Sequence, residues 1–239
     1  MLGLGNTLSG GIVPAAAGVS WASTTALSFD GTNDHITTGT DGTVASKTYV
    51  WWMKATQTSD NSAIFSHDDS GGLLGGFFLN HFASYGMSRE YLYYNNSKHR
   101  QWEDNSAQDD GNWHHWALYL DVSDVRESKL YIDGSEVTVA STTGTTAGLP
   151  SSWDPLKIGV GNGQYAAFIL SEFAIFDGNK ISSIGTYYNS GTPWDMTGED
   201  DLDLYYIFEE GTGTSVADSS TNSNAGTLVN SPTWVTDAP

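Results

Sequence analysis

The sequence predicts an all-β protein built as a sandwich of two antiparallel sheets. Apolar and aromatic residues alternate with polar ones along most of the chain, which is the period of a half-buried strand. Asp, Asn, Ser and Gly residues interrupt these segments at short intervals, as turns between many short strands do. A chain of 239 residues is long enough to bury the core of such a sandwich as one domain.

The strands can be placed in order along the chain. The first predicted strand, 26–29, alternates and stops at Asp30-Gly31, and the second, 49–53, is a dense aromatic and β-branched segment. Such residues favour a pleated, buried surface. Further strands are predicted at 63–65, 77–79, 91–94, 114–120, 129–132, 136–137, 156–160, 167–170, 173–176 and 204–208.

The connections between these strands are also readable. Asp133-Gly134 separates two strand segments and is a strong signal for a tight hairpin. Only 181–188 has the character of a helical turn or two, and 140–150 and 190–203 are predicted to be loops.

Charge and composition restrict the partners. The chain has 28 Asp+Glu against 9 Lys+Arg, a formal net charge of -19, and no Cys. Nucleic acid and anionic bilayers require basic counter-charge, so neither is an expected partner. The lack of cysteine excludes disulfides and thiolate zinc sites. Residues 1–5 carry no basic segment, so a secretory signal is not expected.

Five segments carry a resemblance to a known family. They read L-S-F-D-G-T-N-D-H-I at 27–36, Y-V-W-W-M-K at 49–54, N-W-H-H-W-A-L-Y at 112–119, L-Y-I-D-G at 130–134 and I-L-S-E-F-A-I-F at 169–176. In this order they resemble the laminin-G-like, concanavalin A-like lectin/glucanase domains. The resemblance implies a concanavalin A-like jelly roll with a lectin-like role.

The C-terminal part departs from the usual order of that family. The segments L-Y-Y-I-F-E-E-G-T-G at 204–213 and A-D-S-S-T-N-S-N-A-G-T at 217–227 resemble a region that many members place before the Phe-Asp-Gly strand. This order implies a circularly permuted domain at 22–239, completed by 204–235. Together with the start Met-Leu-Gly-Leu-Gly-Asn, it resembles short structural proteins of tailed, often marine, phages. Residues 1–21 are then an N-terminal arm that contacts neighbouring subunits.

Catalytic motifs of the fold are not found in the sequence. Glucanases of this fold carry Glu-x-Asp-x-x-Glu on one strand, whereas Glu172 is followed by Phe and Ala. Neither Gly-x-Ser-x-Gly nor His-Glu-x-x-His occurs in the sequence. Each of these motifs is typical of a separate class of hydrolase. His114 and His115 are adjacent on a predicted strand and point to opposite faces, so they do not share a metal ion. We expect no enzymatic activity.

The resemblance also implies one structural Ca²⁺ near a sheet rim. The matching positions are Asp30 and Asp34 in the first turn and Asp218 in the C-terminal turn, with Asn222 and Asn224 close to it in sequence. Such oxygens are the ligands that Ca²⁺ takes. The alternative is that these side chains cap their own turns.

Aromatic and polar residues are the candidates for ligand binding, because lectin-like sites stack rings on sugar faces and use polar side chains for the hydroxyls. The candidates on the middle strands and loops are Tyr91, Tyr93, Arg100, Trp102 and Tyr165. The alternative is that they belong to the core or to subunit contacts.

These observations lead to three functional hypotheses. The first is a non-enzymatic virion structural protein of a tailed phage, either a capsid decoration, a fibre or a tail appendage. It would be made in the host cytoplasm, would contact other virion proteins and copies of itself, and could bind host-surface glycans. The second is an extracellular carbohydrate-binding module, and the third is a glycoside hydrolase.

Overall fold

The computed structural model describes residues 22–55, 62–67, 78–82, 88–95, 98–104, 110–143 and 153–239. The predicted arm 1–21 lies outside these residues. The strands are β1 Ala26–Asp30, β2 His35–Thr37, β3 Lys47–Ala55, β4 Ser62–Ser66, β5 Phe78–Phe82, β6 Ser88–Asn95, β7 Lys98–Asp104, β8 His114–Leu120, β9 Lys129–Ile132, β10 Ser135–Glu136, β11 Val139–Thr143, β12 Lys157–Ile158, β13 Val160–Gly161, β14 Gln164–Tyr165, β15 Ala167–Asp177, β16 Leu202–Tyr206, β17 Ser215–Val216, β18 Gly226–Val229 and β19 Thr233–Val235. The helical elements are the 3₁₀ turns Val125–Glu127 and Ile181–Ser183 and the α-helix α1, Ile184–Tyr188.

The strands form two large antiparallel sheets. The first sheet has the order β10-β9-β8-β3-β15-β1-β19, with β16 beside β15, and the second has the order β11-β7-β6-β5-β4-β12-β2-β18-β17. Strands β13 and β14 make a separate short hairpin. The two-sheet all-β prediction is confirmed. Two C-terminal strands are part of these sheets: β19 pairs with β1 at the edge of the first sheet, and β18 pairs with β2 within the second.

The main core lies between the two sheets and is rich in aromatic rings. Trp51 of β3 stacks on Trp116 of β8 with ring centroids 6.1 Å apart and meets the edge of Phe65 at 5.2 Å. All three side chains are buried. Offset and edge-to-face ring pairs of this kind add to the free energy of burial.

A second, smaller core covers the outer face of the first sheet. Val50, Ala117 and Tyr205 of that face are buried beneath α1 and the segment after it, and Phe176 stacks on Tyr187 at 5.0 Å. Strand β3 is therefore buried on both faces over most of its length. This explains why its sequence is a continuous apolar segment.

The predicted hairpin is confirmed. Asp133 and Gly134 have φ angles of 48° and 75°, and Ser135 pairs with Ile132. Two central residues of positive φ are typical of a type I′ turn. Gly134 also has a packing role, because a Cβ there would lie 2.9 Å from the ring of Tyr188.

Three predictions need correction. The segment 156–160 was predicted as one strand, but Gly159, with φ 91°, separates β12 in the second sheet from β13 in the short hairpin. The segment from 140 was predicted as a loop, yet β11 occupies Val139–Thr143. All five of its residues are exposed, so it shows no apolar period. The segments 167–170 and 173–176 form one strand, β15, with an irregularity between Ser171 and Ala174. Glu172, with φ 55°, lies in this irregularity, where the extra residue disrupts the alternation.

Candidate functional site

Four polar and aromatic side chains meet at one end of β2, where the turn 30–34 faces the β13–β14 hairpin. We call Asn33, His35, Tyr165 and Asn230 the rim cluster. The rings of His35 and Tyr165 lie 6.2 Å apart at 49°. The carbonyl oxygen of Asn33 lies 3.0 Å from Nδ1 of His35 and accepts a hydrogen bond from Nδ2 of Asn230 at 2.9 Å. Both rings are partly exposed and both amide side chains are exposed.

Two aspartates give the turn its shape. Oδ1 of Asp30 accepts hydrogen bonds from the backbone N–H groups of Thr32 and Asn33 at 2.8 and 3.4 Å. Oδ2 of Asp34 accepts from the N–H of Asp30 at 3.2 Å. The Thr32 N–H lowers the pKa of Asp30, while burial raises the pKa of Asp34. The turn is thus held by its own side chains, which leaves its outer groups in a fixed position.

The hairpin on the other side presents Tyr165. Val160 pairs with Tyr165, and Asn162 and Gly163 turn the chain with φ angles of 49° and 71°. In β2, Ile36 enters the core while His35 lies on the outer face. Strand alternation and a tight turn therefore bring the two rings together.

The rim cluster presents both apolar and hydrogen-bonding groups to solvent. Partly exposed rings offer apolar faces, and exposed amides offer both donors and acceptors. The two carboxylates beneath them accept hydrogen bonds within the turn. The cluster thus places apolar ring faces beside hydrogen-bonding amide groups, and the described contacts of Asp30 and Asp34 lie within the turn.

The residues predicted for calcium do not form one site. Asp30 and Asp34 lie before β2, whereas Asn224 lies beyond its other end, where a Cβ on Gly39 would be 3.0 Å from the Cα of Asn224. Five residues of extended chain separate these ends, a distance of about 16 Å. In the described part of the chain, no group of three His, Asp or Glu side chains is arranged to hold a metal ion.

The C-terminal half of that set stabilises its own turn. Oδ1 of Asp218 accepts from the N–H groups of Tyr205 and Ser220 at 3.0 and 2.9 Å, and Oδ2 accepts from the N–H of Asn224 at 2.7 Å. Nδ2 of Asn222 donates to the Asp203 carboxylate at 3.0 Å. These contacts follow the turn-capping alternative, and they do not fit a calcium site made of all five residues.

The predicted ligand-binding residues are dispersed. Trp102 is 0% exposed in the main core, so its prediction as a ligand contact is wrong; alternation along β7 directs the ring inward. The guanidinium of Arg100 lies 5.6 Å from that ring and donates to Oγ1 of Thr142. Tyr91 and Tyr93 belong to β6, and their side chains lie outside the described residues. Of the five, Tyr165 lies in the rim cluster.

A pocket of about 430 Å³ lies where the chain crosses from β10 to β11. Glu136 in its wall accepts hydrogen bonds from Lys129 and from the hydroxyl of Tyr131. Its described lining contains no aromatic ring: Glu103, Ile132, Ser135, Glu136, Val137, Thr138 and Ala140. The described part of its lining therefore offers a sugar ring no stacking surface.

The remaining titratable candidates are structural. Glu172 is fully buried and accepts a hydrogen bond from the hydroxyl of Tyr205, so a polysaccharide has no access to it. His115 is fully buried, and burial lowers its pKa to about 3. His114 contacts Asp133 instead, with Nδ1 2.7 Å from Oδ2.

Sequence reasoning missed three members of the rim cluster. Asn33 and His35 lie within the first motif, so their closeness to Asp30 was readable from the sequence. Asn230 is 197 positions away from Asn33, and no local pattern points to it. Only the pairing of β18 with β2 brings it there.

The two packed antiparallel sheets and their strand order define a lectin-like jelly-roll sandwich. The family model of the concanavalin A-like lectin/glucanases superfamily matches residues 30–181. The chain belongs to this superfamily. A comparison with curated protein sequences finds no match.

Solved structures share the fold at low sequence identity. A native heptameric SAP-like pentraxin from Limulus polyphemus matches with a TM-score of 0.55 and 17% identity over 70% of this chain and 82% of the pentraxin. The enzymatically active domain of tailspike protein 2 from bacteriophage CBA120 matches with a TM-score of 0.50 and 12% identity over 73% of this chain. Domains LG4-5 of the mouse laminin alpha1 chain match with a TM-score of 0.46 and 11% identity over 68% of this chain. The match spans 28% of the tailspike chain and 45% of the laminin chain.

Proposed function

We propose that this protein is a non-enzymatic glycan-binding module and that the rim cluster is its binding site. The observation that carries the proposal is the pair of partly exposed rings, His35 and Tyr165, 6.2 Å apart beside two exposed amides. A sugar presents one apolar face and several hydroxyl groups. The rings would cover that face, and Asn33 and Asn230 would bind hydroxyls.

The arrangement of acids supports binding rather than hydrolysis. Glycosidases need two carboxyl groups about 5 to 9.5 Å apart across an open cleft. Asp30 and Asp34 accept backbone hydrogen bonds in the turn, and Glu172 is buried. No calcium ion is part of this proposal, since the residues predicted for it are divided between two ends of β2.

The test is glycan binding by the full chain on an array, followed by titration of the strongest ligand. Tyr165→Ala and His35→Ala should each weaken binding about five- to thirtyfold, because each removes a stacking surface of roughly 1 to 2 kcal/mol. Tyr165→Phe is the matched control and should stay within a few-fold of wild type. No binding on the array, or unchanged binding by folded Tyr165→Ala, would overturn the proposal.

We further propose that the module works in a tailed-phage particle, as a capsid or tail component. The support is the resemblance of residues 1–6 and of the C-terminal order to phage structural proteins. Strands β18 and β19 complete both sheets beside β2 and β1, which agrees with that order. Mass spectrometry of purified particles should detect the chain in stoichiometric amount. Its presence only as a secreted monomer would favour an extracellular carbohydrate-binding module.

A further inference from the structure

The outer face of the second sheet places a lysine beside the rim cluster. Ile36 of β2 is buried in the main core, so alternation directs His35 and Thr37 to the outer face. Thr37 pairs with Lys157 of β12 on one side and with Thr227 of β18 on the other. Directly paired residues share a face, so Lys157 lies on the outer face as well, where it is partly exposed.

Strand pairing places this lysine between the two rings of the cluster. His35 is the diagonal neighbour of Lys157 in the pairing of β12 with β2, and such neighbours lie about 7 to 8 Å apart, within reach of a long side chain. On its other side Lys157 pairs with Ser66 of β4. The hydroxyl of Ser66 donates to the carbonyl oxygen of Val160 at 2.8 Å, and Val160 pairs with Tyr165 in the short hairpin. The lysine thus lies between the strand that carries one ring and the hairpin that carries the other.

Lys157 differs from the other lysines in having no acidic partner. Among the lysine side chains that the structure describes, four have Nζ 2.7 to 3.0 Å from a carboxylate oxygen: Lys47, Lys54, Lys129 and Lys180. Lys157 forms no ion pair with any described residue, although the chain has 28 Asp+Glu against 9 Lys+Arg. Its ammonium group can therefore pair with an anion that a ligand brings.

The acids of the adjoining turn oppose this attraction only from a greater distance. Oδ1 of Asp30 accepts from the N–H of Thr32, and Oδ2 of Asp34 accepts from the N–H of Asp30, so both carboxylates bond within the turn. Their charge and the net charge of -19 repel an anion at long range. Coulomb energy falls with distance, and salt at physiological strength screens exposed charges beyond about 8 Å. A cation in contact with the ligand therefore decides its preference.

We propose that the binding site selects acidic sugars and that Lys157 is its specificity-determining residue. This proposal rests on the glycan site proposed above. The rings and amides of the rim cluster would bind the sugar, and the ammonium group would bind a carboxylate or sulfate substituent. An ammonium group is a compact point charge with three donors, so it accepts either kind of anion.

The test compares matched pairs of glycans on the full chain in 0.15 M salt. Oligosaccharides that contain a uronic acid are measured beside their carboxyl-reduced counterparts, and sulfated ones beside their desulfated counterparts. Wild type should bind the acidic member of a pair about five- to tenfold more tightly, as one partly exposed charge-assisted contact allows. The two kinds of pair show which anion the site takes.

The variant Lys157→Gln separates this proposal from the glycan site itself. It should lose the preference for the acidic member while binding the neutral member within about twofold of wild type. Lys129→Gln is the matched control and should keep the preference, because that ammonium group pairs with Glu136 on the first sheet. Equal binding of both members by wild type, or a preference that persists in Lys157→Gln, would overturn the role of Lys157 and leave the glycan site standing. No binding to any glycan would reject both.

Discussion

The carboxylate of Glu209 accepts hydrogen bonds from three consecutive residues near the start of β1. Oε1 accepts from the N–H groups of Thr24 and Thr25 at 2.6 and 3.1 Å and from the hydroxyl of Ser23 at 3.0 Å, and Oε2 accepts from the hydroxyl of Thr24. These bonds lower the pKa of Glu209 against the opposing effect of burial. One side chain thus joins the beginning of the described chain to a turn more than 180 positions later.

We predict that Glu209→Gln destabilises the protein by about 1 to 3 kcal/mol, because an amide replaces the charged acceptor of several hydrogen bonds. Urea unfolding at pH 7 measures the loss. Glu127→Gln, at an exposed position, is the control and should stay within about 0.5 kcal/mol of wild type.

The pH dependence gives the same prediction a second readout. The pKa of Glu209 is lowered in the folded protein, so its contribution is present above the ordinary pKa of glutamate and is lost as the pH falls through the folded value. The stability difference between wild type and Glu209→Gln should therefore shrink towards pH 3. A difference that is constant from pH 7 to pH 3 would contradict the role of the charge.

At the scale of elements, His114 joins the start of β8 to two neighbouring segments. Its Nδ1 lies 2.7 Å from Oδ2 of Asp133 in the β9–β10 turn, and its Nε2 lies 3.3 Å from Oδ1 of Asp110. These carboxylates raise the pKa of His114, the bond to Asp133 most of all. The next residue, His115, points to the other face and is kept neutral by burial. Alternation along one strand thus gives adjacent histidines different roles.

We predict that His114→Gln makes the protein less stable in mild acid but changes its stability much less in base. Because the pKa of His114 is raised on folding, its stabilising charge is fully present below the ordinary histidine pKa and is lost as the pH rises through the folded value. Urea unfolding should give a loss of about 1 kcal/mol at pH 5.5 and a smaller one at pH 9. In an Asp133→Asn background, His114→Gln should lower the free energy of unfolding by less, because the His114–Asp133 pair is already broken. An equal loss of stability in both backgrounds would contradict a stabilising His114–Asp133 pair.

At the scale of the whole molecule, the C-terminal strands are part of both sheets. Ala26 pairs with Val235 and Leu27 with Trp234, so the chain before β1 and the chain after β19 leave the first sheet at the same end. Strand β19 therefore lies beside β1, the first strand of the domain. Sheets of this kind can be completed from either end of the sequence.

We predict that a circular permutant in which 199–239 precede 22–198 through a short Gly/Ser linker folds to the same sandwich. The new ends fall after Gly198, which is exposed and has φ 82°. The linker that joins residue 239 to residue 22 is short, so the entropy cost of closing this loop is small. The free energy of unfolding should therefore lie within about 2 kcal/mol of that of the 22–239 chain. Deletion of 223–239 is the control and should abolish cooperative unfolding, because β1 and β2 lose a neighbour. A permutant without a cooperative transition would contradict this topology.

Local patterns were sufficient for much of the fold. Alternation and turn residues located β3, β8 and β9 and the Asp133-Gly134 hairpin, because each depends on residues that are adjacent in the chain. They failed for β11 and for β7, whose exposed or charged residues show no apolar period. At the candidate site, Tyr165 was predicted from its residue type, whereas His35 and Asn230 were not.

The sequence by itself determined the all-β class, the superfamily motifs and the turns that aspartate side chains cap, since these are decided by interactions within a few residues. The tertiary structure alone decided that Trp102 belongs to the core, that the five predicted calcium residues lie at two ends of β2, and that Asn33, His35, Tyr165 and Asn230 meet. The reason is physical: the pairing of strands distant in sequence sets which side chains share a surface, and sheet register is fixed by burial over the whole sandwich.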